Sequence, residues 1–282
     1  MKHILVTGSN GYLGSKFISV NSSVYKFRTF SLLGQQLKNV EFDGIDTVLH
    51  CAALVHQKKD IPVDSYWRVN TDYPTKLAAV AKECGVKQFV FISSIAVHGE
   101  NVDYVDENTI CSPTTPYGKS KLEAENLLLA MSDDGFKVSI VRLPMIYGEN
   151  APGNIESILR LVKLLPLLPL GKINNKRTFI SIQNTCHALS EVIEQRKEGV
   201  FLFADDDSIS TSKLVGLLAE NSGRRVYLVE SSFFNYMLKK FMPAIYRKLF
   251  GSLIVNSSKS QKKLKLKNPL VISEAFKFIQ SL

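Results

Sequence analysis

The sequence predicts an α/β protein: a doubly wound parallel sheet followed by a smaller C-terminal domain. Three observations predict it. Short apolar strands alternate with helical patterns, the order that puts helices on both faces of a parallel sheet. The first strand runs directly into a glycine turn and a helical pattern, Thr7-Gly8-Ser9-Asn10-Gly11-Tyr12-Leu13-Gly14. A chain of 282 residues with 45% apolar content can bury a full core, as one large domain or one and a half.

Taken in order, the predicted strands are residues 2–6, 25–30, 47–51, 88–93, 138–143 and 200–203. The predicted helices are residues 14–21, 71–84, 118–131, 155–164 and 212–220, with Gly85 placed as a C-cap after the second. The glycine turn suits a dinucleotide pyrophosphate, with Gly8 making the tight turn, Gly11 admitting the phosphates to the backbone and Gly14 letting helix pack on strand. Exposed N–H groups and the positive helix end then hold the anion. This is a Rossmann-type beginning and implies a nicotinamide cofactor.

One interval departs from that scheme. Only sixteen residues separate Phe30 from Thr47. A parallel crossover needs about a dozen or more, so a helix, a strand and a second helix cannot all fit. The sheet is therefore predicted to be trimmed by one unit after its second strand, where the adenine ribose is normally enclosed. An acidic residue about twenty positions past the glycines would clamp the ribose hydroxyls, yet no Asp or Glu precedes Glu41. Lys26 and Arg28 stand near that place. Either could meet a 2′-phosphate, which places NADPH slightly ahead of NADH; alternatively both simply face solvent.

The second constellation is Tyr117-x-x-x-Lys121 at the start of a helical pattern. An i, i+4 pair shares one helix face, so both side chains can enter one cleft. A phenol titrates near 10, and an adjacent ammonium is expected to lower that value toward a useful base. Ser93-Ser94 ends the preceding strand, at the carboxyl edge where ligands bind in such sheets; a turn is the alternative reading of a serine pair.

Together with His50-Cys51-Ala52-Ala53, Asn70 and Arg142-Leu143-Pro144-Met145-Ile146-Tyr147-Gly148, these motifs resemble the extended short-chain dehydrogenase/reductases. Within them the chain is similar to the NAD-dependent epimerase/dehydratase branch, which acts on nucleotide sugars. The motifs fall in order over residues 3–185. The resemblance implies Tyr117 as the proton-relaying acid or base, Lys121 as its partner and Ser94 as the catalytic hydroxyl. It implies a cofactor site of Gly8, Asn10, Gly11, Tyr12, Leu13, Gly14, Arg28, Cys51, Ala52, Ala53, Asn70, Tyr117, Lys121 and Pro144. It also implies Ser94, Asn154, Leu170 and Arg177 toward the substrate, Asn154 and Arg177 on its diphosphate and the Leu167–Gly171 segment around a uracil. Residues 1–150, with a return segment near 178–204, would hold NAD(P), and 151–282 mainly the substrate.

The resemblance implies hydride transfer at a sugar carbon, usually C4. Dehydration would further need an acid–base pair after the catalytic hydroxyl, but Ile95 and Ala96 stand there and cannot transfer protons. That leaves a 4-keto-sugar reductase of surface polysaccharide precursor synthesis or a UDP-sugar 4-epimerase. The trimmed adenosine end favours the reductase, because an epimerase must retain its cofactor. A cofactor-sensing regulator or scaffold is the non-enzyme alternative, opposed by the presence of Ser94, Tyr117 and Lys121 together.

The formal net charge is +9, but no zinc ligands, heptads or aromatic RNA platform accompany it, so nucleic acid is not expected. Four separated cysteines suggest neither a metal nor a redox motif, and Asp205-Asp206-Asp207 reads as a turn and helix start rather than a metal site. The opening core strand leaves no room for a signal peptide, and no apolar run is long enough to span a membrane, so the expected location is the cytoplasm. Residues 233–250 mix apolar side chains with four basic ones. They read as a lid on a phosphate-rich ligand, ahead of an amphipathic helix on a membrane. Residues 71–84 and 118–131 could pair between two subunits into a homodimer.

Overall fold

The computed structural model describes residues 1–31, 37–55 and 61–279. Six parallel strands form the main sheet: β1 (His3–Thr7), β2 (Lys26–Phe30), β3 (Thr47–His50), β4 (Gln88–Ser94), β5 (Lys137–Leu143) and β6 (Gly199–Leu202). Their spatial order is β6-β5-β4-β3-β1-β2. All six predicted strands are present, each within a residue or two of its expected ends. The predicted trimming is present too: β2 is the edge strand, and the chain crosses from it to β3 on the far side of β1.

Both faces of the sheet are covered, which is why its strands are continuous apolar runs rather than alternating ones. On one face Phe17 of the Tyr12–Asn21 helix packs with Leu189 and Val192 of the Ile182–Gln195 helix over Ile4, Val6 and Val141. On the other, Leu77, Ala78 and Ala81 of the Tyr73–Glu83 helix join Ala124 and Leu128 of the Pro116–Leu129 helix over Leu5, Val48 and Phe89. The predicted helices at 71–84 and 118–131 are these last two. They pack side by side on one face of their own sheet.

A separate core is built entirely from residues after Met145, including Tyr147, Ile155, Leu159, Leu168, Leu214, Leu218 and Phe276. The Asn154–Leu164 and Thr211–Asn221 helices supply most of it. The Ile182–Gln195 helix was not anticipated from the sequence, although Ser181 caps it by accepting from the Asn184 N–H at 3.0 Å. The aspartate run splits its duties: Asp205 is buried and accepts from the Tyr147 hydroxyl (2.6 Å) and the Asn184 amide (2.7 Å), whereas Asp206 accepts from Gln261 and Asn268. The basic segment beyond residue 232 forms two helices, Ser232–Phe241 and Pro243–Phe250, divided where Pro243 begins a new first turn. Among the described residues no helix is long and apolar enough to cross a membrane.

The glycine turn owes its form to close backbone contact. A Cβ added to Gly14 would lie 2.4 Å from the Gly8 carbonyl oxygen, so a side chain there must push the first helix off the sheet. Gly14→Ala is therefore expected to lower stability by about 1–3 kcal/mol, the usual cost of overpacking. Gly216→Ala is the control: it lies in the Thr211–Asn221 helix with nothing within 4 Å and should gain roughly 0.5–1 kcal/mol from helix propensity. Paired thermal or urea unfolding curves check both signs.

Candidate active site

The connections from β1 and β3 leave toward opposite edges of the sheet, so a crevice opens beyond their carboxyl ends. Gly8 sits in it with φ +70°, and a Cβ on it would meet the Ala52 nitrogen at 2.6 Å. The turn closes by the Gly11 N–H donating to the Gly8 carbonyl at 2.9 Å, and the Cys51 N–H donates to Thr7 at 3.1 Å. Asn10 and Gly11 are exposed at its tip, while Leu13 and Gly14 are buried beneath it. Gly11 starts the helix without a side-chain cap, which leaves the first-turn N–H groups to whatever lies beyond the turn.

This cradle fits a dinucleotide diphosphate. The Tyr12 hydroxyl, buried near Gly148, lacks a partner among the described residues, and the His50 ring lies across the sheet, stacked on Phe89 and Phe91. Burial raises the Tyr12 phenol well above its ordinary value. Burial and the neighbouring Lys121 charge push His50 down to about 3, so its imidazole is neutral, with Nδ1 2.9 Å from the Thr7 hydroxyl. Burial also pushes the Cys51 thiol up to about 12, so it is no thiolate nucleophile.

Asn70 has a different place from the one expected of a cofactor ligand. It lies buried in a π-helical turn, Arg68–Asp72, that joins the Asp64–Trp67 and Tyr73–Glu83 helices. Its carboxamide oxygen accepts from the Leu54 N–H (2.8 Å), and its amide donates to the Leu54 carbonyl (3.0 Å) and the Ser120 hydroxyl (3.1 Å). Asn70 thus ties the loop after β3, with Ala52 and Ala53, to the helix that carries Tyr117. It is a positioning residue. Single-turn π bulges gather at functional sites, and no apolar periodicity announces one.

Ser94 ends β4 and accepts from the Ala96 N–H at 3.2 Å, which starts the Ile95–His98 turn. The Pro116–Leu129 helix starts where Thr115 accepts from the Gly118 N–H at 3.1 Å and Pro116 occupies the first turn. Tyr117 therefore stands in that first turn, and its phenol hydrogen-bonds Ser94. Burial raises the Tyr117 pKa, and the Ser94 bond opposes the rise. The lowering expected from Lys121 is not among the causes.

Lys121 is 1% exposed, donates to the Ile92 carbonyl at 2.8 Å and lies 4.3 Å from the Phe91 ring centre. Burial pulls its pKa down to about 7, opposed first by Glu125. Glu125 is one further helical turn along, and it is the residue that the motif reading passed over. It is buried, bound by Arg142 through Nε at 3.1 Å and Nη2 at 2.6 Å, and accepts from the Ser93 hydroxyl. Arg142 Nη1 lies 3.4 Å from His98 Nε2, and burial with that positive neighbour lowers the His98 pKa. Two signals were available for this network: the spacing 117, 121, 125 and a lone arginine within an apolar strand.

A cleft of about 650 Å³ opens beside Ser94. Arg177, Arg247 and Lys248 line it, against the carboxylates Glu100 and Asp103. Arg177 donates to the Gly251 carbonyl at 3.1 Å and has no ion-pair partner among the described residues. Burial lowers its pKa for that reason.

Other expected residues fall elsewhere. Leu170 is 4% exposed within the second core, and the flanking Leu168 is buried with it, so this segment is packing rather than an open cradle. Arg28 is level with Leu5, three residues short of Gly8, and its guanidinium donates to the Glu41 carbonyl at 2.8 Å. Lys26 is further back still, beside His3. Neither cation stands at the carboxyl edge, so the reason for placing NADPH ahead of NADH lapses. Pro144 is buried just past β5. Asn154 begins the Asn154–Leu164 helix, and its side chain lies outside the described residues.

Comparison with known proteins agrees with this arrangement. Residues 4–202 match the NAD dependent epimerase/dehydratase family. A UDP-glucose 4-epimerase of Vibrio cholerae is 32% identical, over 98% of this chain and 94% of its own. An N-acetyl-alpha-D-glucosaminyl-diphospho-ditrans,octacis-undecaprenol 4-epimerase of Escherichia coli O157:H7 is 23% identical over 93% of this chain and 85% of its own. Among solved structures, a UDP-glucuronic acid 4-epimerase from Bacillus cereus in complex with NAD superposes with a TM-score of 0.78. It is 19% identical and covers 99% of this chain and 97% of that one. A dTDP-4-dehydrorhamnose reductase from Bacillus anthracis in complex with NADP reaches 0.77, at 17% identity over 98% of each chain. The chain belongs to the NAD-dependent epimerase/dehydratase family. It is an NAD-dependent enzyme.

Because Glu125 raises the Lys121 pKa, Glu125→Gln should drop it below about 7. The same substitution breaks a buried ion pair, at a cost of about 3–5 kcal/mol. NMR titration of the Lys121 Cε and a thermal melt check the two effects.

Proposed function

We propose that this protein is an NAD(P)-dependent 4-epimerase of a diphosphate-linked hexose, with a UDP-sugar as its substrate. The observation that carries this reading is the joining of Ser94, Tyr117 and Lys121 across the end of β4, beside a cleft that holds Arg177, which has no ion-pair partner among the described residues. The choice of epimerase is supported by 32% identity to the Vibrio cholerae enzyme along nearly the whole chain. It departs from the reductase favoured on the sequence, which the short edge beyond β2 and the missing acidic clamp support, since an exchangeable cofactor would be at home there.

In this reading residues 1–150, with 178–204 returning to the sheet, bind the cofactor, and residues after 150 mainly bind the sugar nucleotide. Gly8, Gly11 and the N-terminal turn of the first helix hold the dinucleotide diphosphate, and Tyr12 supplies a donor without a protein partner. Cys51, Ala52 and Ala53 form the floor. When bound, NAD supplies the hydride acceptor and a positive nicotinamide ring that favours phenolate nearby.

Tyr117 then takes the proton of the sugar 4-hydroxyl at its phenol oxygen and later returns it. Ser94 holds that phenol by a hydrogen bond and presents a hydroxyl to the same sugar oxygen. Lys121, poised near neutrality one turn further along the same helix, is the phenol's partner in the relay. Arg177 meets the substrate diphosphate with a planar fork suited to two oxygens at once.

Two measurements test this. Incubation with UDP-glucose and no added cofactor should yield UDP-galactose, with NAD released on denaturation in near-equimolar amount. Turnover confined to a 4-keto sugar, with one NAD(P)H consumed per cycle, would establish the reductase instead. Tyr117→Phe should lower kcat roughly 10²–10⁴-fold while leaving KM nearly unchanged, the scale of losing a general acid–base group.

A further inference from the structure

We propose that the helix pair Ser232–Phe241 and Pro243–Phe250 is a docking surface for an anionic phospholipid bilayer. The first helix buries one stripe and exposes another. Leu238 is buried, and Phe234 packs with Leu249 and Phe250 against the second core. The opposite stripe runs 233, 236, 237, 240, 241, the i, i+3, i+4, i+7, i+8 spacing of one helix face. On a soluble surface that stripe should be polar, but it holds Phe233, Tyr236, Met237 and Phe241 around a single lysine. Phe233 is 76% exposed and Phe241 63% exposed. Met242 and Ile245 extend the apolar surface across the bend.

The charge on this face chooses its occupant. Residues 231–250 carry Lys239, Lys240, Arg247 and Lys248 and no acidic residue. Lys240 Nζ lies 5.7 Å from the Tyr236 ring centre and 5.4 Å from that of Phe241, so a cation stands over the exposed aromatics themselves. A second copy of this chain would bring the same cations against themselves across a two-fold contact. An anionic bilayer offers hydrocarbon to the rings and phosphates to the cations at the same depth. Cationic helices with aromatic and aliphatic side chains on one face lie in such interfaces.

The position of the pair gives the docking a consequence. Pro243, Ala244, Arg247 and Lys248 form one wall of the cleft that reaches Ser94. Arg247 pins that wall by donating to Asn101 on the opposite side. The bilayer would therefore lie against the mouth of the cleft, and substrate would enter along the membrane surface. The docking does not depend on which sugar reaction the cleft performs.

The test is co-sedimentation of the intact protein with vesicles of phosphatidylglycerol–phosphatidylcholine and of phosphatidylcholine alone. Binding to the anionic vesicles, weakened by added salt, is expected. Lys239→Gln with Lys240→Gln should reduce the partition coefficient roughly thirtyfold, taking about one kcal/mol per surface cation. Phe233→Ser with Phe241→Ser should abolish binding even at low salt, while circular dichroism and the melting temperature stay unchanged. Equal binding of all forms, or no binding to anionic vesicles, overturns the proposal. A dimer in light scattering that the Phe233→Ser, Phe241→Ser form loses, without vesicle binding, would assign the face to a second copy and overturn it too.

Discussion

The fold is arranged around a backbone-to-backbone contact at the point where the strand order reverses, between β1 and β3. Gly8 lies against Ala52, and Gly14 lies against Gly8, at distances that leave no room for a Cβ. That contact brings β1, β3 and the first helix together main chain against main chain. The consequence is electrostatic. A helix N-terminus without a side-chain cap borders the crevice, with a Tyr12 hydroxyl lacking a partner among the described residues on one face of the sheet and a neutral, buried His50 on the other. Such a region attracts a polar anionic ligand because desolvated donors without partners are costly to leave unmatched.

The second organising feature is a chain of buried charge beside Ser94 and Lys121. His98, Arg142, Glu125 and Ser93 form a continuous polar strip inside an apolar fold, and Lys121 borders it. Burial works against an ammonium at this depth and the carboxylate a turn away opposes it, which leaves Lys121 at about 7. Asn70 performs the mechanical counterpart by fixing the loop after β3 to the same helix. Glu125 and Asn70 thus hold Lys121 and the loop after β3 in place from outside the cleft.

The C-terminal region has the opposite character. Its core is smaller, its strands are two residues long, and its last helices turn aromatic side chains outward.

The six strands, the shortened interval after β2, the glycine turn and the Tyr117–Lys121 pair were legible in the sequence. Each is a local pattern: apolar runs, chain length, steric exclusion at glycine and i, i+4 spacing. The sequence also argued against dehydration, because Ile95 and Ala96 have no proton to give. It could not show that Arg28 turns back to the Glu41 carbonyl, that Leu170 is core, or that Asn70 is consumed by the scaffold. Nor could it show that burial raises the Tyr117 pKa while Glu125 supports Lys121. Those facts are decided by which distant residues meet in three dimensions and how much water is excluded there, and desolvation has no signature in the order of residues along a chain.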